Sequence, residues 1–85
     1  IMISKNNKFS RNQLISKLNS LGIGTSVHYP VALPNSKYFS NKYGYKKADF
    51  PISNQIANST ISLPCGPHVS ENDAQYIGKV LTNLV

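Results

Sequence analysis

A histidine and a tyrosine stand together at positions 28 and 29, at the end of an apolar, β-branched run and directly before Pro30. His28 supplies an imidazole that donates, accepts or carries a proton near neutral pH, and Tyr29 supplies a phenol; side by side at a strand tip, the two can bind and orient a polar substrate. They also read as ordinary strand-end residues, a partly exposed imidazole beside a ring that covers the core. A second corner, Pro64-Cys65-Gly66-Pro67-His68, offers a thiol and another imidazole. One cysteine and two histidines fall short of the usual four ligands of structural zinc, and a Pro/Gly turn does not polarise a thiol into a nucleophile, so no metal site is expected. Cys65 reads as a small buried filler. There are three acidic residues, and Glu71 and Asp73 belong to a helix start, which leaves no carboxylate pair for acid–base work. No Gly-rich phosphate loop and no HExxH occurs.

Short elements must position these corners. Ile1-Met2-Ile3 reads as part of a first strand that starts without a cap or turn, as a fragment would. Ser10 and Gln13 form a capping-box signature, Phe9 and Leu14 a hydrophobic staple, and Leu14, Ile15, Leu18 and Leu21 one apolar helical stripe that Gly22 ends. In the second strand Ile23, Thr25, Val27 and Tyr29 face one side, and Gly24, Ser26 and His28 the other. Pro30 bars further pairing. Residues 31–50 mix breakers with Tyr38, Phe39, Tyr43, Tyr45 and Phe50 and with Lys37, Lys42, Lys46 and Lys47, and read as a long functional loop or a pair of helical turns. Pro51 suits the first turn of a short helix whose Ile52 and Ile56 share a face, and a third strand follows over 60–63. Ser70 and Asp73 then cap a last helix striped by Ile77, Val80, Leu81 and Leu84.

The expected fold is therefore α+β: a small three-stranded mixed or antiparallel sheet with flanking helices, in a split β-α-β-like arrangement, over residues 1–85 as a single small domain. The third strand is expected between the other two. That sheet puts the two corners at opposite ends and keeps His28 away from Cys65 and His68.

At this length a domain buries only about 60 to 65% of its unfolded surface, so the core is small. The chain is 40% hydrophobic with no apolar run long enough to cross a membrane. A lone cysteine and no signal peptide point to the cytoplasm. A net charge of +6 favours an anionic partner, and lysines interleaved with aromatic rings leave open a small basic nucleotide- or nucleic-acid-binding module, although no RNA-recognition signature is present.

The order of motifs carries more. Arg11-x-x-Leu14 to Leu18, Gly22-Ile23-x-Thr25-x-x-His28-Tyr29-Pro30, Tyr38, Phe50-Pro51, and Ile61-Ser62-Leu63-Pro64-x-Gly66-Pro67-His68-x-Ser70-Glu71-x-Asp73-x-x-Tyr76-Ile77 together resemble the C-terminal part of DegT/StrS-type nucleotide-sugar aminotransferases. The portion from Leu63 to Glu71 looks closest to the perosamine-synthetase-like branch. The resemblance covers nearly the whole chain. It implies the C-terminal small domain of a fold type I, pyridoxal-phosphate-dependent aminotransferase that moves an amino group, usually from glutamate, onto a nucleotide-linked keto-sugar. It further implies that the cofactor lysine and most cofactor contacts lie in a large domain absent from these residues, so no catalytic residue and no bound cofactor are expected on this chain alone. The small domain closes over the active site, and His28 and Tyr29 match the family's substrate-side His-Tyr. The implied partners are the large domain, the nucleotide-sugar and a second subunit in a homodimer, with no membrane and no specific nucleic acid. Two departures stand out: Pro51-Ile52-Ser53-Asn54 replaces a Pro-x-Ala-Glu pattern, so an amide stands where a carboxylate is expected, and Cys65 replaces a larger apolar residue.

Overall fold

Helix α1, Arg11–Ser20, starts as its capping box dictates: the Gln13 amide donates to the Ser10 hydroxyl, and the Ser10 amide to Gln13 Oε1 at 2.9 Å. Its end is a Schellman turn. Gly22, at φ +82°, donates to the Asn19 carbonyl, and Ile23 to the Leu18 carbonyl at 3.0 Å, which satisfies carbonyls the helix leaves open. In the computed structural model, which describes residues 1–84 but not the side chain of Lys47, Leu14 and Leu18 are fully buried while Leu21, at the C-cap, is exposed. The apolar stripe is thus one residue shorter than its spacing suggests. Val85 lies outside the described residues, as does the Lys47 side chain of the basic segment.

Helix α4, Glu71–Leu84, repeats the capping logic with Ser70 and Asp73, each backbone amide donating to the other's side chain. Its Ile77, Val80, Leu81 and Leu84 pack on the cluster of Leu14, Leu18, Ile23 and Ile61, and Phe9 joins from the N-terminal side of α1. The Tyr76 hydroxyl donates to the Leu21 carbonyl at 2.8 Å, tying α4 to the end of α1.

The three-stranded sheet is not formed. Among the described residues the extended segments meet only in two isolated antiparallel bridges, Met2 to Thr60 and Ser26 to Ser62. Helix α3, Pro51–Ser59, runs up to the first residue of the third segment, and Pro64, which has no N–H, stands two residues beyond Ser62. The four residues between them, 60–63, make one bridge to each neighbouring segment. Gly24 in the second segment adds the entropic cost of a residue without a side chain to pack. The chain is therefore a set of helices cross-linked by single bridges, neither an α+β sheet nor a split β-α-β unit. The geometric reason for separating the two corners falls with the sheet.

Residues 31–50 resolve into a 3₁₀ turn at Leu33–Asn35, helix α2 at Lys37–Tyr43 and a second 3₁₀ turn at Lys47–Asp49. None of α2 is buried. It is held instead by rings in series: Tyr38 is edge-on to Phe39, Phe39 stacks on Tyr43 and Tyr43 on Tyr45, and Tyr45 is edge-on to Phe50, with centroid separations of 5.1 to 5.9 Å. Lys42 lies over both Tyr38 and Tyr43. In α3 the face shared by Ile52 and Ile56 is exposed, at 72% and 47%, and the buried residue is Ala57, whose carbonyl accepts from the Arg11 guanidinium.

Candidate functional site

The Ser26–Ser62 bridge builds the floor of the site. Ser26 donates to the Ser62 carbonyl at 3.1 Å and Ser62 to the Ser26 carbonyl at 2.8 Å, the pattern of a hydrogen-bonded antiparallel pair. Residues opposed in such a pair share a face, and so does the residue two further along, His28. The three side chains accordingly converge: His28 Nδ1 is 3.4 Å from Ser26 Oγ and 3.3 Å from Ser62 Oγ. With Nδ1 occupied by the two hydroxyls, the ring is oriented and Nε2 has no hydrogen-bond partner among the described residues. Tyr29 follows across a cis peptide, its ring edge-on to the imidazole at 5.8 Å and 75% exposed.

Both residues open onto a cleft of about 260 Å³. One wall is segment 31–34, with Val31, Leu33 and Pro34; the other is the face of α3 that carries Ser53, Ile56 and Ala57. Its lining is mostly apolar with a few polar atoms at one end, the usual composition of a small-molecule site. No described lysine side chain lines it. Position 54 carries its amide into the wall itself, where Asn54 Oδ1 accepts from Asn35 Nδ2.

The second corner is a different matter. Cys65 is exposed, which overturns its reading as a buried filler. Gly66 adopts φ +143°, and a Cβ there would come within 3.0 Å of the His68 ring, so glycine is what lets that ring fold back over the turn. Asp73 close by has its carboxyl held below the ordinary carboxylate range, chiefly by the Ser70 amide and then by the Ser70 hydroxyl, with a smaller pull from His68. Among the described residues no three His, Cys, Asp or Glu side chains group to hold a metal ion.

The structure thus brings His28 and Tyr29 to one cleft and adds residues that sequence reasoning passed over. Ser26 had a signal, since it lies two residues before His28 on the same strand face. Ser62 and Ser53 had none, and Ile56 was legible only as part of a helical face, because their placement depends on which segments meet.

This geometry coincides with a family assignment. The model of the DegT/DnrJ/EryC1/StrS aminotransferase family matches residues 1–82. The chain belongs to that family. Over 78 residues it is 36% identical to the uncharacterized protein MJ1066 of Methanocaldococcus jannaschii, covering 92% of this chain and 20% of that protein. It is 35% identical to the spore coat polysaccharide biosynthesis protein SpsC of Bacillus subtilis, covering 89% of this chain and 20% of SpsC. It is 28% identical to the UDP-2-acetamido-2-deoxy-3-oxo-D-glucuronate aminotransferase of Pseudomonas aeruginosa, covering 87% of this chain and 20% of the enzyme. The chain thus spans about a fifth of the length of these DegT/DnrJ/EryC1/StrS relatives. No described helix is long and apolar enough to cross a membrane.

Proposed function

We propose that this chain is the C-terminal, substrate-closing part of a pyridoxal-phosphate-dependent aminotransferase that moves an amino group from an amino acid, glutamate by preference, onto a nucleotide-linked keto-sugar. The observation that carries the reading is the coincidence of the family match with the cleft that gathers His28 and Tyr29. The names of two relatives, one for spore coat polysaccharide biosynthesis and one for amination of a UDP-linked keto-sugar acid, support surface polysaccharide or related sugar biosynthesis as the setting. The parent works in the cytoplasm as a homodimer.

Pyridoxal phosphate supplies the electron sink of transamination when bound, and its anchoring lysine belongs to the large domain of the parent. The residues of this chain bind and shield. His28, oriented through Nδ1 by Ser26 and Ser62, turns Nε2 to a substrate oxygen, and the Tyr29 hydroxyl gives a second hydrogen bond. Val31, Leu33 and Ile56 exclude water around them. The exposed apolar side chains of Tyr29, Val31, Leu33, Ile52 and Ile56 are the surface on which the large domain packs.

The test is turnover. The protein carrying this chain, loaded with pyridoxal phosphate, is incubated with glutamate and a nucleotide-linked keto-sugar, and the aminated sugar is detected by mass spectrometry. Amination is expected, with none from residues 1–85 alone. Stoichiometric cofactor adduct on one lysine of residues 1–85 with turnover of glutamate, or tight sequence-dependent nucleic-acid binding at physiological salt, overturns the reading.

A further inference from the structure

Segment 30–36 meets α3 as a strap with a cleft on either side. One is the His28/Tyr29 cleft; the other, of about 320 Å³, is lined by Pro30, Asn35, Asn54 and Asn58. Val31 and Ala32 line both, so the strap is the wall between them. Asn35 ends the 3₁₀ turn whose Leu33 and Pro34 face the first cleft, and Asn54 is the neighbour of Ser53 on its opposite wall. Asn35 Nδ2 donates to Asn54 Oδ1, joining strap to helix across the base of the wall.

From this placement we infer that Asn35 and Asn54 are positioning residues: a neutral amide latch that sets the width of the substrate cleft by pinning the strap to α3. The inference rests on the proposed function for its substrate, and the latch itself stands on the geometry alone. Other observations point the same way. The strap's backbone bonds over 32–36 are local, Asn35 to Ala32 and Ser36 to Leu33, and give the turn its shape without fixing its distance from the helix. Asn35 Oδ1 and Ser36 Oγ are buried and make no hydrogen bond among the described atoms. A segment that already holds unmet polar atoms is one in which loss of a further bond releases the strap to water rather than leaving it in place. Position 54 must therefore offer an acceptor.

The experiment uses the protein that carries this chain. Asn54→Leu keeps the size of the side chain and removes the acceptor, whereas Asn54→Asp keeps the acceptor. Hydrogen exchange followed by mass spectrometry is read over residues 30–36, and KM and kcat are measured for the nucleotide-sugar. Asn54→Leu is expected to speed exchange in the strap by about tenfold and to raise KM by about tenfold with kcat within about threefold, since a loosened wall costs binding before chemistry. Asn54→Asp is expected to stay within about twofold of the parent on both readings. Unchanged strap exchange in Asn54→Leu, or damage by Asn54→Asp equal to that by Asn54→Leu, overturns the latch. Should Asn54→Leu fail to fold, Asn35→Ser removes the donor from the turn and is read in the same way. A parent that exchanges as expected but aminates no sugar defeats the proposed function and leaves the latch standing.

Discussion

The two halves of this molecule are held by different forces. Helices α1 and α4 close on a dry cluster in which Leu14, Leu18 and Ile61 have no exposed surface, and both start in reciprocal caps. Residues 28–50, which carry one wall of the cleft, contribute Ala32 as their one described buried apolar residue and rely on ring-to-ring contacts, an amide contact to α3 and single turns. The contrast separates scaffold from site. Apolar burial is strong and indifferent to direction, so it suits an anchor; hydrogen bonds and edge contacts are weaker but directional, and suit a surface that sets polar groups around a cleft.

The sharpest way to break that contrast is to open the core. Leu18→Ala is expected to cost about 2 to 4 kcal/mol in the protein carrying this chain, because it removes a fully buried side chain next to Leu14 and Ile61. Denaturant unfolding measures it, and a loss below about 1 kcal/mol would show that the anchor lies elsewhere. His28→Ala tests the opposite half. Stability should change little, since the imidazole is exposed, while kcat/KM for the nucleotide-sugar falls by more than about tenfold. An unfolded variant whose remaining folded fraction keeps full specific activity would make His28 structural and erase the division.

Smaller effects sharpen the comparison. Tyr43 stacks on both Phe39 and Tyr45, so Tyr43→Ala should loosen α2 by about 1 kcal/mol, seen as faster hydrogen exchange over 37–43, with the α1 amides unaffected. Exchange that accelerates equally in α1 would join the two halves into one cooperative unit. The smallest effect is at Asp73. Its folded carboxyl titrates below the ordinary value of 3.8, so its capping contribution to α4 is complete above that pH and is lost as pH falls through the lower folded value. Asp73→Asn should flatten the acid limb of α4 helicity followed by circular dichroism. An unaltered acid limb would assign that titration to another carboxylate.

Much of the scaffold was legible in the chain because its rules are local. Ser10 with Gln13, Ser70 with Asp73, Gly22 after a leucine stripe, and Pro51 at a helix start each act within four residues, and each does in the structure what its spacing implies. The pairing of His28 with Tyr29 as neighbours, and the order of motifs that places the chain in its family, were legible for the same reason. What the tertiary structure decided is non-local. Three extended segments with the alternation of strands stop at two isolated bridges, since pairing depends on how the segments are set against one another and not on their own alternation. Ile52 and Ile56 share a helical face, but whether that face turns inward depends on what covers it, and Cys65 is exposed where composition alone favours burial. Ser62 reaches His28, and Asn35 reaches Asn54, across separations of 34 and 19 residues, because the Ser26–Ser62 bridge and the meeting of the strap with α3 close those loops. Local sequence sets the torsions and caps of each element; only the burial shared between elements sets which side chains meet.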